Sequence, residues 1–398
     1  MKTLLRFEWK KLLHQRYLMF FIILLLFVNV FNIYLNYDLL VTPEKTLIGT
    51  QPVAVESVRL RMDKDVHGAI TAETLQTLQQ HYRDTAAMVD GEPVDDTTLY
   101  FPIPYTDMIY TKEILDEMER LYTYETSIVQ PLMEKNAALK AQAERVGDPY
   151  GVRTANLIER TYAGRDIASY ARVNEFEPLL SYHLSALFLL LLCVYCASNL
   201  FAGEKETQMQ TLLWCTPRGK NTVFWAKMVV FSLFCLALGA VLFGVDLLAF
   251  WICRRPSGFL LPIYALEDFT YTPLHCSILS FYLLLSLLKV LGAALIGMTV
   301  VFCSVLFKKS YQAFVAGVLA VIALMTFSLF TDGVFSVIRW FDPMTLFISG
   351  RLFETLRLEN IFGRPVYLST LSVIGSILFG GIFLVCACRL YQRRRDNA

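Results

Sequence analysis

Between residues 38 and 177 the sequence has no cysteine, so this stretch does not rely on disulfides. There is no GxxxxGK[ST] phosphate loop, so the chain does not cradle nucleotide phosphates by itself in the usual way. The five histidines, His14, His67, His81, His183 and His275, are scattered without HExxH or comparable ligand spacing, and no GxSxG elbow occurs. An enzyme therefore has almost no motif to stand on. Charge is also scarce: 18% of residues are charged against 55% hydrophobic, with 29 Phe, too little polar material to cover two soluble domains.

Long apolar runs are what the sequence does have. A hydrocarbon layer about 30 Å thick needs about 20 mostly apolar residues in a helix. Six runs qualify, at 18–37, 179–200, 223–252, 277–307, 311–330 and 368–388. They are continuous rather than alternating, which favours helices over a barrel. The first lacks the short apolar stretch and small-residue cleavage site of a secretory signal and reads as an uncleaved span. The expected fold is an all-α membrane protein with six transmembrane helices.

The near-neutral total charge hides an asymmetry. Residues 38–177 hold 14 Lys and Arg against 24 Asp and Glu, and the remainder holds 22 against 11. An acidic module is thus inserted between helices 1 and 2, its charge serving either to attract cationic ligands or simply to solvate the surface. Its periodicity, as in Leu75, Leu78 and Tyr82 or Leu115, Met118 and Leu121, predicts a mostly helical domain. Thr71 is a plausible N-cap, and Pro131 should end or kink a helix beginning near Thr111. The stretch with Gly91, Pro93, Pro102 and Pro104 reads as extended loop. Lys and Arg number 14 on the segments that alternation places inside and 6 on the short outer loops, so both termini are expected in the cytoplasm and the insertion outside a plasma membrane.

Three parts follow: 1–37, a basic interfacial helix and the first span; 38–177, the extracytoplasmic insertion; and 178–398, spans 2–6 with a cytoplasmic loop at 202–222 and an outer re-entrant segment at 331–365. In the interfacial helix Leu5, Trp9, Leu12 and Leu13 recur at helical spacing among basic residues. Asn29, Asn32 and Asn36 share one face of the first span, suited to a partner helix. Cys193 and Cys196 read as packing residues, while Cys253 and Cys276 flank one outer loop and could pair. Asp246 and Lys289 fall inside consecutive antiparallel spans, either as an intramembrane charge pair or as a substrate or ion contact.

The loop from Phe201 to Lys227 reads FAGEKETQMQTLLWCTPRGKNTVFWAK. Residues 207–214 can form about two helical turns carrying Met209, Leu212 and Leu213, with Glu204, Lys205, Glu206 and Gln208 near the start and Pro217 and Gly219 as stops. Such an apolar stripe either docks in a protein groove or lies on the lipid surface. In its order of Phe201, Glu204, amphipathic helix, Pro217, Arg218 and Lys227, together with the basic N-terminal helix and six spans, the chain resembles ABC-2-type ABC transporter permeases. The resemblance implies that Glu204, Glu206, Met209, Leu212 and Leu213 couple to an ABC ATPase subunit. It implies that ATP and Mg are used by that partner and no cofactor is bound by this non-catalytic chain. It further implies a homodimer or a heterodimer with a second permease, seated in the lipid bilayer, working as an exporter without nucleic acid.

The segment 331–365 is too apolar for a free loop and too interrupted to span. Asp342 and Pro343 form an N-cap and N1 pair ahead of Met344, Phe347, Ile348 and Leu352. Short helices dipping into the outer leaflet are expected, as an interfacial cover or, as the resemblance implies, as an outer gate with Asp342, Pro343 and Phe347. The large insertion departs from compact family members and is similar to Gram-positive members that handle peptides, antibiotics or lipids. The other class of protein compatible with the sequence is a membrane-anchored sensor or structural component whose outer domain binds a ligand or partner.

Overall fold

The computed structural model describes residues 2–47, 68–89, 103–209, 222–254, 256–330 and 338–396. The first helix, α1 (Lys2–Leu13), turns Leu5, Trp9 and Leu12 toward the core, with Glu8 buried on the same side. After a turn at His14 and Gln15, α2 (Arg16–Leu47) carries the first apolar run and continues past residue 37 without a break.

Among its described residues the insertion is mostly helical, with one short strand pair. β1 (Gly68–Ala69) pairs antiparallel with β2 (Ser169–Tyr170), closing its two ends on each other. Between them α3 (Ala72–Val89) packs on α4 (Ile103–Tyr122), and α5 (Gln130–Val146) on α6 (Pro149–Tyr162). Thr71 Oγ1 accepts from Thr74 N at 3.1 Å, as its capping position predicts. Leu75 and Leu78 of α3 and Leu115, Met118 and Leu121 of α4 are buried, the apolar stripes the periodicity marks.

Pro104 and Pro131 act differently from expectation, while Gly91, Pro93 and Pro102 lie outside the described residues. Pro104 lies in the first turn of α4, where a missing N–H costs nothing. The break expected at Pro131 falls earlier: α4 ends at Tyr122, a π-type turn covers Glu125–Val129, and Pro131 sits in the first turn of α5. Gly147 ends α5 in the left-handed region at φ 71°, and Asp148 caps α6.

After α7 (Glu177–Leu180) come α8 (Leu184–Glu206), α9 (Thr222–Arg254), α10 (Ile278–Leu306) and α11 (Ser310–Phe330). A short α12 (Pro343–Phe347), the hairpin β3 (Leu358–Ile361) and β4 (Arg364–Tyr367), and α13 (Leu368–Asp396) complete the chain. Six helices, α2, α8, α9, α10, α11 and α13, are long and apolar enough to cross a membrane, which fits a multi-pass membrane protein. α8 and α10 form the centre of the bundle, whereas α2 and α11 leave most of their apolar surface outward. Cys253 and Cys276 are not joined in a disulfide, so the pairing open to them in the sequence is not made.

The insertion is fastened to the connector between α9 and α10. Arg165, 1% exposed, donates through Nη1 to Thr272 O at 2.8 Å, its guanidinium 4.5 Å from the Tyr162 ring centre and 4.9 Å from that of Tyr264. Tyr162 OH donates to Tyr271 O at 2.6 Å and Tyr124 OH to Thr270 O at 3.1 Å. A second fastening reaches the β3–β4 hairpin, where Arg153 Nη1 donates to Gly363 O at 2.8 Å and the Thr161 and Tyr367 hydroxyls lie 3.0 Å apart.

Candidate functional site

The last three residues of α8 each grip a different neighbour. Glu204 Oε1 accepts from Lys227 Nζ of α9 at 2.7 Å and from Lys11 Nζ of α1 at 2.6 Å. Lys227, 1% exposed, also donates to Leu200 O at 3.0 Å and to Glu8 Oε2 at 3.3 Å, and faces the Phe201 ring. A buried ammonium is tolerated only when paired in this way, and two carboxylates against two ammonium groups leave the cluster neutral.

Lys205 turns to the C-terminus of α10, donating to Ser304 O at 2.9 Å, Val305 O at 2.5 Å and Phe307 O at 2.9 Å. Ser304 and Val305 lie in the last turn of α10 and Phe307 just beyond it, where a cation meets the negative end of the helix dipole. Glu206 Oε2 accepts from Ser310 N at 3.3 Å, the start of α11. Glu204, Lys205 and Glu206 thus join α8 to α1, α9, α10 and α11 within three positions.

This hub stands where the 202–222 loop leaves the bundle. Thr207 and Gln208 end α8 rather than begin the next helix: Thr207 N donates to Gly203 O at 3.2 Å, and Gln208 adopts φ 57°, a left-handed stop. Glu204 is therefore a buried residue in the last turn of α8, ahead of the loop. Met209 is 43% exposed. Leu212 and Leu213 lie outside the described residues. A cleft lined by Glu8, Lys11, Gln15, Asn199 and Lys227 opens between α1, α8 and α9 beside the hub.

A second polar cluster lies inside the bundle toward the insertion. Asp246 Oδ1 accepts from Asn29 Nδ2 at 2.5 Å and from Ser185 Oγ at 2.7 Å. Tyr182 OH donates to Asn29 Oδ1 at 2.9 Å or to Asn32 Oδ1 at 3.2 Å. The expected partner of Asp246 is not in direct contact: Lys289 Nζ donates to Tyr182 O at 3.2 Å and faces the Phe243 ring at 5.8 Å. Both charged side chains are buried, at 2% and 5% exposed, within one polar cluster. Four of the long apolar helices, or the turns leading into them, contribute to this network.

The segment 338–352 wedges between α10 and α13. Asp342 caps α12, with Oδ1 accepting from Met344 N at 3.0 Å, and its carbonyl accepts from Ser376 Oγ of α13 at 3.2 Å. Asp342, Pro343 and Phe347 are all buried. Two glycines admit the wedge. A Cβ on Gly375 would stand 1.9 Å from Trp340 O, and one on Gly292 would stand 3.1 Å from Pro343 O. Gly292 lies about 21 Å along the 29-residue α10, so the wedge reaches mid-helix.

The buried roles of Glu8, Lys227 and Arg165 were missed in the sequence. Glu8 had a signal: it falls between Leu5 and Leu12 on the apolar side of α1, where an unpaired acid is costly. Among the described residues no group of three or more His, Cys, Asp and Glu is placed to hold a metal ion. No protein-family model, curated protein or solved structure matches the chain.

Proposed function

We propose that this chain is the membrane-spanning permease subunit of an ABC-2-type ABC transporter, an exporter driven by a separate ATPase subunit docking on the 202–222 loop. The observation that carries this reading is the hub at Glu204, Lys205 and Glu206. A push or pull on the loop meets a helix end bonded to α1, α9, α10 and α11, so it moves those elements together rather than flexing one turn. A chain lacking a phosphate loop and doing ATP-driven work needs such a lever.

In this reading the α1 end faces the cytoplasm, following the excess of Lys and Arg there, and the insertion faces outward. The outward apolar surfaces of α2 and α11 leave room for a second permease beside lipid. The Asp342 wedge between α10 and α13 is the candidate outer gate. The test is a photo-crosslinking amino acid at Met209, with one at Leu260 as control; Leu260 is 85% exposed and lies in the connector on which the insertion rests. Crosslinking from position 209 to a nucleotide-hydrolysing chain is the expected result. Crosslinking to lipid alone would overturn the docking role.

One set of contacts favours a second reading, a membrane-anchored sensor. Arg153 and Arg165 hold the insertion to two separate connectors, so a ligand on it would be felt by both. That reading expects ligand binding by the insertion and no ATPase at position 209.

A further inference from the structure

On the seam between the insertion and the α9–α10 connector, α4 turns Glu117 and Arg120 inward. Arg120 Nη2 donates to Ala265 O at 2.7 Å, and Tyr170 OH of β2 donates to Glu117 Oε2 at 3.3 Å. Glu117 is 8% exposed, and its Oε1 is buried without a hydrogen-bond partner, as is Arg120 Nη1. An ionised carboxylate here would keep one long hydrogen bond in place of its water, an unfavourable exchange.

The groups facing it pull both ways: Arg120 and the Tyr170 hydroxyl favour the ionised form, Glu113 and Glu177 disfavour it, and burial outweighs them all. From its own helix come Glu113 and Arg120, from β2 Tyr170, and from α7 Glu177, which itself feels Glu267 and Asp268 of the connector. Burial, ahead of these neighbours, pushes the Glu117 carboxyl up to about 7.

We propose that Glu117 is a proton-binding site that keeps the insertion seated on the α9–α10 connector while the proton is bound and loosens that seat when it leaves. The folded form holds its proton more tightly than an exposed glutamic acid. The seat is therefore firmest below the ordinary carboxylate range and weakens as pH rises through about 7. This site lies across the molecule's long helices from the loop hub and does not depend on what docks there.

Hydrogen exchange on the full chain in nanodiscs, at pH 6 and pH 8.5 and corrected for intrinsic exchange, tests it over residues 113–121 and 263–270. Opening of these segments should rise about tenfold across that interval in the wild type, and Glu117→Gln should remove the rise. Tyr170→Phe, which removes the single donor to the ionised form, should move the midpoint to higher pH even if Glu117→Gln folds poorly. An equal rise in Glu117→Gln, no rise in the wild type, or an unmoved midpoint in Tyr170→Phe would each overturn the proposal.

Discussion

Lys227 Nζ lies 2.7 Å from Glu204 Oε1, with neither side chain more than 5% exposed, so the start of α9 is tied to the end of α8 on either side of the loop that separates them. Removing Lys227 alone strands Glu204 and Glu8 in a site where only Lys11 remains to answer them. Lys227→Met should cost about 3–5 kcal/mol, and adding Glu204→Gln should restore part of it. Thermal melting of the purified chain and its double-mutant cycle would show this, and additive losses would contradict it.

Lys205 and Glu206 neighbour Glu204 but differ in what they hold. Lys205→Met leaves three carbonyls at the end of α10 without their cation, a loss of about 1–3 kcal/mol. Glu206 is exposed and, among the described residues, makes one 3.3 Å bond, so Glu206→Gln should stay within about 0.5 kcal/mol. Melting temperatures of the two variants, compared side by side, check the order.

In the membrane-facing bundle the partners of Asp246 are Asn29 and Ser185, not Lys289. Asn29→Leu should therefore lower the yield of monodisperse protein more than Asn32→Leu. Lys289→Met should be partly rescued by Asp246→Asn, because the two buried charges are then removed together. Size-exclusion profiles in one detergent give the comparison, and equal loss in Lys289→Met with and without Asp246→Asn would separate the two charges.

The wedge at α12 depends on an absent side chain. Gly375→Ala drives a methyl into Trp340 O and should cost at least about 1–3 kcal/mol. Gly292→Ala meets backbone at 3.1 Å and should cost less. On the same helix as Gly375, Gly381 has open space, so Gly381→Ala should be neutral or slightly stabilising. Melting of the three variants tests the close approach.

The six apolar helices were legible because length and continuity alone specify them, and so were the buried stripes at Leu75 and Leu115. Pro131 was misplaced because a proline is equally at home in the first turn of a helix, and nothing local says which side of it the break takes. The Asn29 face was visible, but that Asp246 rather than another helix answers it depends on inter-helix register, which a single chain does not carry. The same holds for Lys227, whose burial comes from α1 folding back over α8 and α9. Glu204 was marked for ATPase coupling through the resemblance, and that it is also the buried end of α8 depends on packing against α1 and α9.

The central claim is that another chain hydrolyses ATP and acts through the loop beside Glu204. The direct measurement is Mg-ATP hydrolysis by the tagged chain purified in mild detergent from its own membranes, wild type against a variant with Met209, Leu212 and Leu213 all changed to Asp. The account predicts that the wild-type eluate hydrolyses ATP through a co-eluting subunit, and that the variant elutes as a folded species without that subunit or its activity. A wild-type eluate with no ATP hydrolysis, or a variant that keeps the wild-type rate, would contradict it.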